Sequence, residues 1–327
     1  MKTLEQVRAA LKPYPVEVQF PDLSQWKTGN YGIDYIHSFD SGTPGPHVLI
    51  MALTHGNEVS GAIAVDALLR SGVRPRQGRL SLGFANIQAY QRFDPQDIDA
   101  TRFIDEDMNR VWLPSTLDGP RDSAELRRAR ELRPLIDSVD LLLDIHSMHE
   151  ESPPLMMCGA CAKGLAFAQS LGVPATIVAD AGHANGRRMR DYGGFGDAAS
   201  PKNALLIETG QHFSKTSERV ALDVAARFLI ATQAVVEADV STFLSQEKPA
   251  AQQCLQVTDP VIAHSMDFSF TDDFRGLERI SHAGTVIARD AQREIVTPYD
   301  NCVLIQPSLR HLGQGVTVVR LSRDYRQ

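Results

Sequence analysis

His55-Gly-Asn-Glu58 sets an imidazole and a carboxylate three residues apart, directly after an apolar run over residues 48–53. A histidine in a loop and a glutamate one helical turn on can converge on one cation, and zinc accepts both ligand types. A catalytic zinc takes three protein ligands and keeps a position open for water, so a third ligand has to arrive from another strand end. His146, which closes the apolar run 141–145, is of the right type. The plainer alternative is that Glu58 only favours a helix N-terminus and His55 only finishes a strand. Glu208, in Leu206-Ile-Glu-Thr-Gly210, ends a third apolar run. It is either a strand-terminal carboxylate facing water or a general base that takes a proton from the attacking water and hands it to a leaving amine.

A second constellation is Thr101-Arg-Phe-Ile-Asp-Glu-Asp-Met-Asn-Arg110. Surface ion pairs of Arg102 and Arg110 with Asp105, Glu106 and Asp107 are the ordinary fate of such a segment. Beside a metal, an arginine has two other uses. One polarises a scissile carbonyl and steadies the oxyanion; another grips a substrate carboxylate bidentately, helped by an amide such as Asn109. Spacing alone does not separate these roles.

Such residues need rigid elements behind them. The runs 48–53, 141–145 and 204–207 are apolar at nearly every position, which predicts strands buried on both faces. Between them, residues 59–69, 123–136 and 217–236 have helical spacing, and Asp122-x-x-Glu125 resembles a capping box. Leu80, Leu82 and Phe84 alternate with small or polar residues, suggesting a strand with one wetter face. Strands alternating with helices predict an α/β fold whose mostly parallel mixed sheet is flanked by helices. In such sheets ligands bind beyond the carboxyl ends of the strands, where His55, His146 and Glu208 fall. After the polar stretch 245–251 the pattern changes to short apolar runs broken by Gly, Pro and Asp, read as a small all-β C-terminal domain. The division expected is a catalytic domain over residues 1–245 and a β-rich domain over residues 252–327 bordering the site.

With 43% hydrophobic and 22% charged residues in 327, the composition is that of a globular protein. A net charge of −7 offers no basic stripe for nucleic acid or anionic lipid, and no stretch is long and apolar enough for a membrane span. Four cysteines fit a reducing compartment, and a cytoplasmic protein is expected. Oligomeric state is left open, a homo-oligomer included. Cys158-x-x-Cys161 reads as a packing turn rather than a redox motif, and Gly194-Phe-Gly-Asp-Ala-Ala199 as a mobile loop, bordering the pocket only as a hypothesis together with Tyr192 and Gly193. His149, His183 and His212 read as solvated loop histidines, and Arg187-Arg188-Met189-Arg190 as a basic cluster paired with nearby carboxylates.

His55-Gly-Asn-Glu58, Arg102 with Asn109-Arg110, Asp144-Ile-His146 and Ile207-Glu-Thr-Gly210 occur in one order. Together they resemble the succinylglutamate desuccinylase/aspartoacylase family, a branch of the zinc carboxypeptidase-like fold. The motifs span residues 48–211, and the β-rich tail agrees with that family's small C-terminal domain. The resemblance implies one Zn2+ per chain on His55, Glu58 and His146, with Glu208 as general acid/base. It further implies Arg102 on the carbonyl oxygen, and Asn109 with Arg110 on the carboxylate of a small-molecule substrate. The implied reaction is hydrolysis of the amide in a small N-acylated amino acid or related amine. A metallocarboxypeptidase trimming short peptides shares the ligands and the clamp, and a non-catalytic carboxylate-binding module would keep only the fold. Tyr299 is the nearest candidate for a substrate-contacting tyrosine in the C-terminal part.

Overall fold

In a computed structural model of the chain, residues 3–94, 97–182 and 186–326 are described; His183 lies outside them. The central apolar runs are strands because both of their faces are covered. In strand β2 (His47–Ala52), Val48, Ile50 and Ala52 enter a core with the helices Val59–Ser71 and Lys215–Ala231. Leu49 and Met51 point the other way, into a core with the helix Ala124–Ser138. Successive side chains of a strand face opposite sides, so a strand inside such a sandwich is apolar throughout.

The remaining strands are β1 (Ile36–Asp40), β3 (Arg79–Phe84), β4 (Leu141–Met148), β5 (Leu155–Met157), β6 (Thr176–Ala179), β7 (Asn203–Gln211), β8 (Gln253–Ile262), β9 (Phe268–Phe270), β10 (Arg279–Ile280), β11 (Val286–Asp290), β12 (Arg293–Val296), β13 (Cys302–Ile305) and β14 (Thr317–Asp324). One sheet runs β1-β3-β2-β4-β7-β5-β6-β8-β14-β13-β10, and β12-β11-β9 form a separate small sheet. In the large sheet β3, β2, β4 and β7 are parallel, β1, β5 and β6 run the opposite way, and the pairings beyond β8 are antiparallel. The C-terminal strands are joined to the main sheet by the parallel β6–β8 pairing. They also keep a core of their own around Ala263, Ile287, Leu304 and Val319. Among the described residues, no helix is long and apolar enough to cross a membrane.

Several local expectations change. The face of β3 expected to be wetter is covered: Ser81 is buried, 2.8 Å from His47 Nε2, and donates to Ser38 Oγ. No capping box forms at Asp122-x-x-Glu125. Ser123 is the N-cap, accepting from the Leu126 N–H at 3.0 Å, while Asp122 pairs with Arg127. The helix expected over 217–236 instead starts two residues earlier and stops at Ala231, capped by Ser214 and ended where Gln233 turns left-handed at φ 59°. Residues 194–199 are pinned rather than loose, since Lys163 Nζ donates to the carbonyls of Gly194, Asp197 and Ser200. Cys158 and Cys161 are free thiols at the turn from β5 into the helix Ala162–Ser170.

Candidate active site

His55 leaves β2 through Leu53, which is left-handed at φ 60°. Gly56 is required by close approach: a Cβ there would meet Thr101 O at 2.4 Å and Ala89 C at 2.5 Å. The segment carrying Arg102 packs against that glycine, and the Gly56 N–H donates to Arg102 O at 2.9 Å. Glu58 is the N-cap residue of the helix Val59–Ser71. His146 and Glu208 are cross-strand partners on the parallel pair β4 and β7, so register alone sets them side by side. The next segment is fastened by Glu125. This buried carboxylate accepts the N–H groups of Ile104, Asp105 and Glu106 at 2.7, 3.1 and 3.2 Å, and fixes the backbone between Arg102 and Arg110.

His55 Nδ1 lies 2.7 Å from Glu58 Oε1 and His146 Nδ1 2.7 Å from Glu58 Oε2. One ligand atom from each of the three residues falls within 4.8 Å of the other two. The far ring nitrogens are backed by carboxylates, His55 Nε2 by Asp107 at 2.9 Å and His146 Nε2 by Asp144 at 2.9 Å. Such outer carboxylates orient metal-binding imidazoles and raise their basicity. Asp144 Oδ2 is buried with no well-aligned hydrogen-bond partner. A metal held by His146 Nδ1 would leave the proton on Nε2, 2.9 Å from that atom, and give it a donor. The donor set, its closure and this orphaned oxygen all fit a zinc ion.

The electrostatics agree. Burial works to raise the Glu58 carboxyl, but His55 and His146 outweigh it and hold the group well below the usual range. Burial works to lower His146, but Asp144 and Glu58 outweigh it and push the imidazole well above its ordinary value. The raised imidazole reports negative potential at the cluster, and the lowered carboxyl keeps Glu58 ionised, so both leave an anionic ligand set for a cation. Glu208 is different: burial and then the charge of Glu58 push its carboxyl up to about 7. Its Oε2 is buried and has no hydrogen-bond partner.

Arg102 Nη1 donates to Glu58 Oε1 at 3.0 Å, and Nη2 is 3.5 Å from Asp107. Arg110 Nη2 is also 3.5 Å from Asp107, which the neighbouring cationic groups hold well below the carboxylate range against its burial. Burial, with Arg102, Arg320 and Arg188 nearby, brings the Arg110 guanidinium down to about 10 in spite of Asp107. Asn109 is held by its Oδ1, which accepts the Met189 N–H at 3.0 Å. The structure brings His55, Glu58, Arg102, Asn109, Arg110, His146 and Glu208 onto one cavity of about 550 Å³.

Residues 44–234, more than half of the chain, match the model of the succinylglutamate desuccinylase/aspartoacylase catalytic domain. The chain belongs to the succinylglutamate desuccinylase/aspartoacylase family. An aspartoacylase of Danio rerio is 29% identical over 111 residues, which span 31% of this chain and 33% of that protein. The match therefore covers about a third of that relative's length. Among solved structures, succinylglutamate desuccinylase from Vibrio cholerae superposes with a TM-score of 0.65 at 18% identity, over 89% of this chain and 86% of that one. A succinylglutamate desuccinylase/aspartoacylase from Rhodobacter sphaeroides gives 0.65 at 19% identity, over 90% of each chain. At these identities the superpositions show a shared fold.

Within that family fold, several residues escaped sequence reasoning. Arg8 of the N-terminal helix, Gln306, His311 and Arg320 of the C-terminal part, and Arg188 all line the cavity. Arg188 is buried, 2.9 Å from Asp180 and 2.6 Å from Asp191, so the basic cluster is paired as expected but sits at the site. His149 and His212 are not solvated. His212 is buried, His149 is partly buried with its ring against it, and His149 lines the cavity. The one available signal was that His149 follows His146 by three residues on the same chain segment. Tyr299 is not on the cavity: its hydroxyl is 2.6 Å from Thr258 Oγ1. Tyr192 packs against Trp112 and does not border the cavity, nor does Gly193.

Proposed function

We propose that this chain is a zinc-dependent deacylase that hydrolyses the amide of a small, carboxylate-bearing N-acylated amino acid or related amine. The observation that carries this reading is the position of Glu208. It is the strand neighbour of a proposed zinc ligand, its carboxyl is pushed up to about 7, and one oxygen is left unpartnered beside the cavity. A carboxyl with that affinity for protons can both accept and return one near neutral pH. Zinc on His55, Glu58 and His146 would supply Lewis acidity toward the acyl carbonyl and a water acidic enough to react near neutrality.

The chain's own residues supply the rest. Arg110, with the fixed amide of Asn109, takes the substrate carboxylate and sets the acyl group against the His/Glu/His cluster. Glu208 removes a proton from the attacking water and returns it to the departing nitrogen. Arg102 donates to the carbonyl oxygen as negative charge grows there. The cavity is walled partly by Gln306, His311 and Arg320 of the C-terminal part, which suits a small substrate better than a peptide chain.

The test is release of free amine from a panel of N-acetyl, N-succinyl and N-formyl amino acids and diamines, with short peptides beside them, in the presence of zinc. N-acyl aspartates and N-succinylglutamate head the panel because relatives bear the names aspartoacylase and succinylglutamate desuccinylase. Turnover of an N-acyl amino acid with no peptide trimming is expected. Preferential trimming of peptides would make the chain a metallocarboxypeptidase. Absence of both stoichiometric zinc and metal-restored turnover would leave a carboxylate-binding module.

A further inference from the structure

A hydrogen-bonded row of histidines joins the N-terminal helix to the proposed active site. Arg8 Nη2 is 3.2 Å from His311 Nδ1, His311 Nε2 is 3.0 Å from His149 Nε2, His149 Nδ1 is 3.0 Å from His212 Nε2, and His212 Nδ1 is 2.7 Å from Ser147 Oγ. Arg102 Nη1 reaches the same His149 Nε2 at 3.3 Å.

The direction of every bond in the row follows from its arginine end. A guanidinium only donates, and a neutral imidazole has one N–H and one lone pair. Arg8 therefore makes His311 Nδ1 an acceptor, and the His311 proton sits on Nε2. That proton points at His149 Nε2, which must accept, and Arg102 at 3.3 Å shares the same lone pair in a three-centre bond. The His149 proton is then on Nδ1, facing His212 Nε2, and the His212 proton is on Nδ1, facing Ser147. All three imidazoles are pushed below their ordinary value by burial and by neighbouring positive charge, His212 to about 3, so they stay neutral.

Asp99, His149 and His311 also have ligand atoms within 4.8 Å of one another. A cation on His311 Nε2 would require its Nδ1 to carry the proton and face the donor Arg8. Asp99 is already 3.4 Å from Arg310 and 4.0 Å from Arg8. The arginines thus set this cluster against a cation and in favour of the neutral row.

We propose that His149 is a positioning residue for Arg102, held in one tautomer by Arg8 and His311 so that docking of the N-terminal helix and the C-terminal loop aims the arginine. This rests on the reading that Arg102 acts on the acyl carbonyl oxygen. The partners of Arg102 at Glu58 and Asp107 are anions that draw it toward the metal-ligand cluster and offset its charge. His149 is a neutral acceptor, which orients a guanidinium without cancelling its charge.

The experiment is a double-mutant cycle on the N-acyl amino acid that the panel shows to be cleaved fastest, with zinc content and histidine 15N shifts measured on the same zinc-loaded protein. His149→Ala should lower kcat about 10- to 100-fold, with KM nearly unchanged and one zinc retained. His149→Asn, which keeps an acceptor, should recover part of the loss and serves if the alanine variant does not fold. In Arg102→Ala, adding His149→Ala should cost nothing more. The 15N shifts should show the proton on Nδ1 of His149 and His212 and on Nε2 of His311, and Arg8→Ala should release the last. An equal, additive loss in the Arg102→Ala background would overturn the positioning role, as would wild-type kcat in His149→Ala. Two zinc ions in the parent and one in His149→Ala would make the cluster a cation site. Full activity in Arg102→Ala would instead refute the assignment of Arg102, and the inference with it.

Discussion

Arg102 joins two groups of histidines that differ in what surrounds them. His55 and His146 face Glu58, Asp107 and Asp144, and His146 is pushed well above its ordinary value. His149, only three residues further on, meets Arg102, His212 and His311, with Asp99 at the longer distance of 3.5 Å from its Nδ1, and burial followed by the positive charge around it pushes it well below its ordinary value. The side chains are the same, and both groups are largely shielded from solvent. The sign is set by neighbours: carboxylates build a cation site, and arginines build a neutral hydrogen-bonded row. Arginine at the border serves both, pairing with Glu58 on one side and donating to a neutral acceptor on the other.

The largest effect should come from breaking the carboxylate side. Glu58→Ala should lose zinc and, with it, activity to below detection, read by metal analysis and amine release; zinc-loaded, active protein would contradict the ligand assignment. Glu208→Gln should next reduce turnover about 1,000-fold while zinc stays bound, and near-normal kcat would end the general-base role. The profile should also carry a rising limb near pH 7, since Glu208 must be ionised to accept a proton and its carboxyl is raised to about 7. Arg110→Ala should cost about 100-fold in kcat/KM on carboxylate-bearing substrates and only a few-fold on their neutral amides. Equal losses on both would refute the clamp. The smallest effect belongs to the neutral row. His212, at about 3 in the folded protein, takes up its proton on unfolding below about pH 6.5. Its contribution is present above that value and declines as pH falls from about 6.5 toward 3, so Tm should drop over this window. The drop should be shallower in His212→Gln, and an unchanged slope would mean that His212 is not held neutral.

What was legible in the sequence was whatever sits at the end of an apolar run. His55 follows β2, and His146 and Glu208 lie within the last residues of β4 and β7, where the register makes them neighbours. Arg102 and Arg110 stood out as a motif, but the buried Glu125 that fastens their segment looked like part of a helix cap, because hydrogen bonds to a distant loop leave no periodic trace. His311, Gln306 and Arg320 reach the cavity from strands and loops more than 90 residues beyond Glu208, by pairing of β8 with β6 and β14 with β8. A single histidine or arginine in an alternating tail gives no sign of that return. Ser81 misled for a related reason: a polar residue in a strand signals water unless a partner such as His47 is known to cover it.

The most direct measurement is a zinc titration of metal-free protein followed by hydrolysis of the N-acyl amino acid panel. Activity should rise linearly and level off at one zinc per chain. No hydrolysis at any zinc level, or a plateau that requires a second equivalent, would contradict a single His55–Glu58–His146 centre driving deacylation.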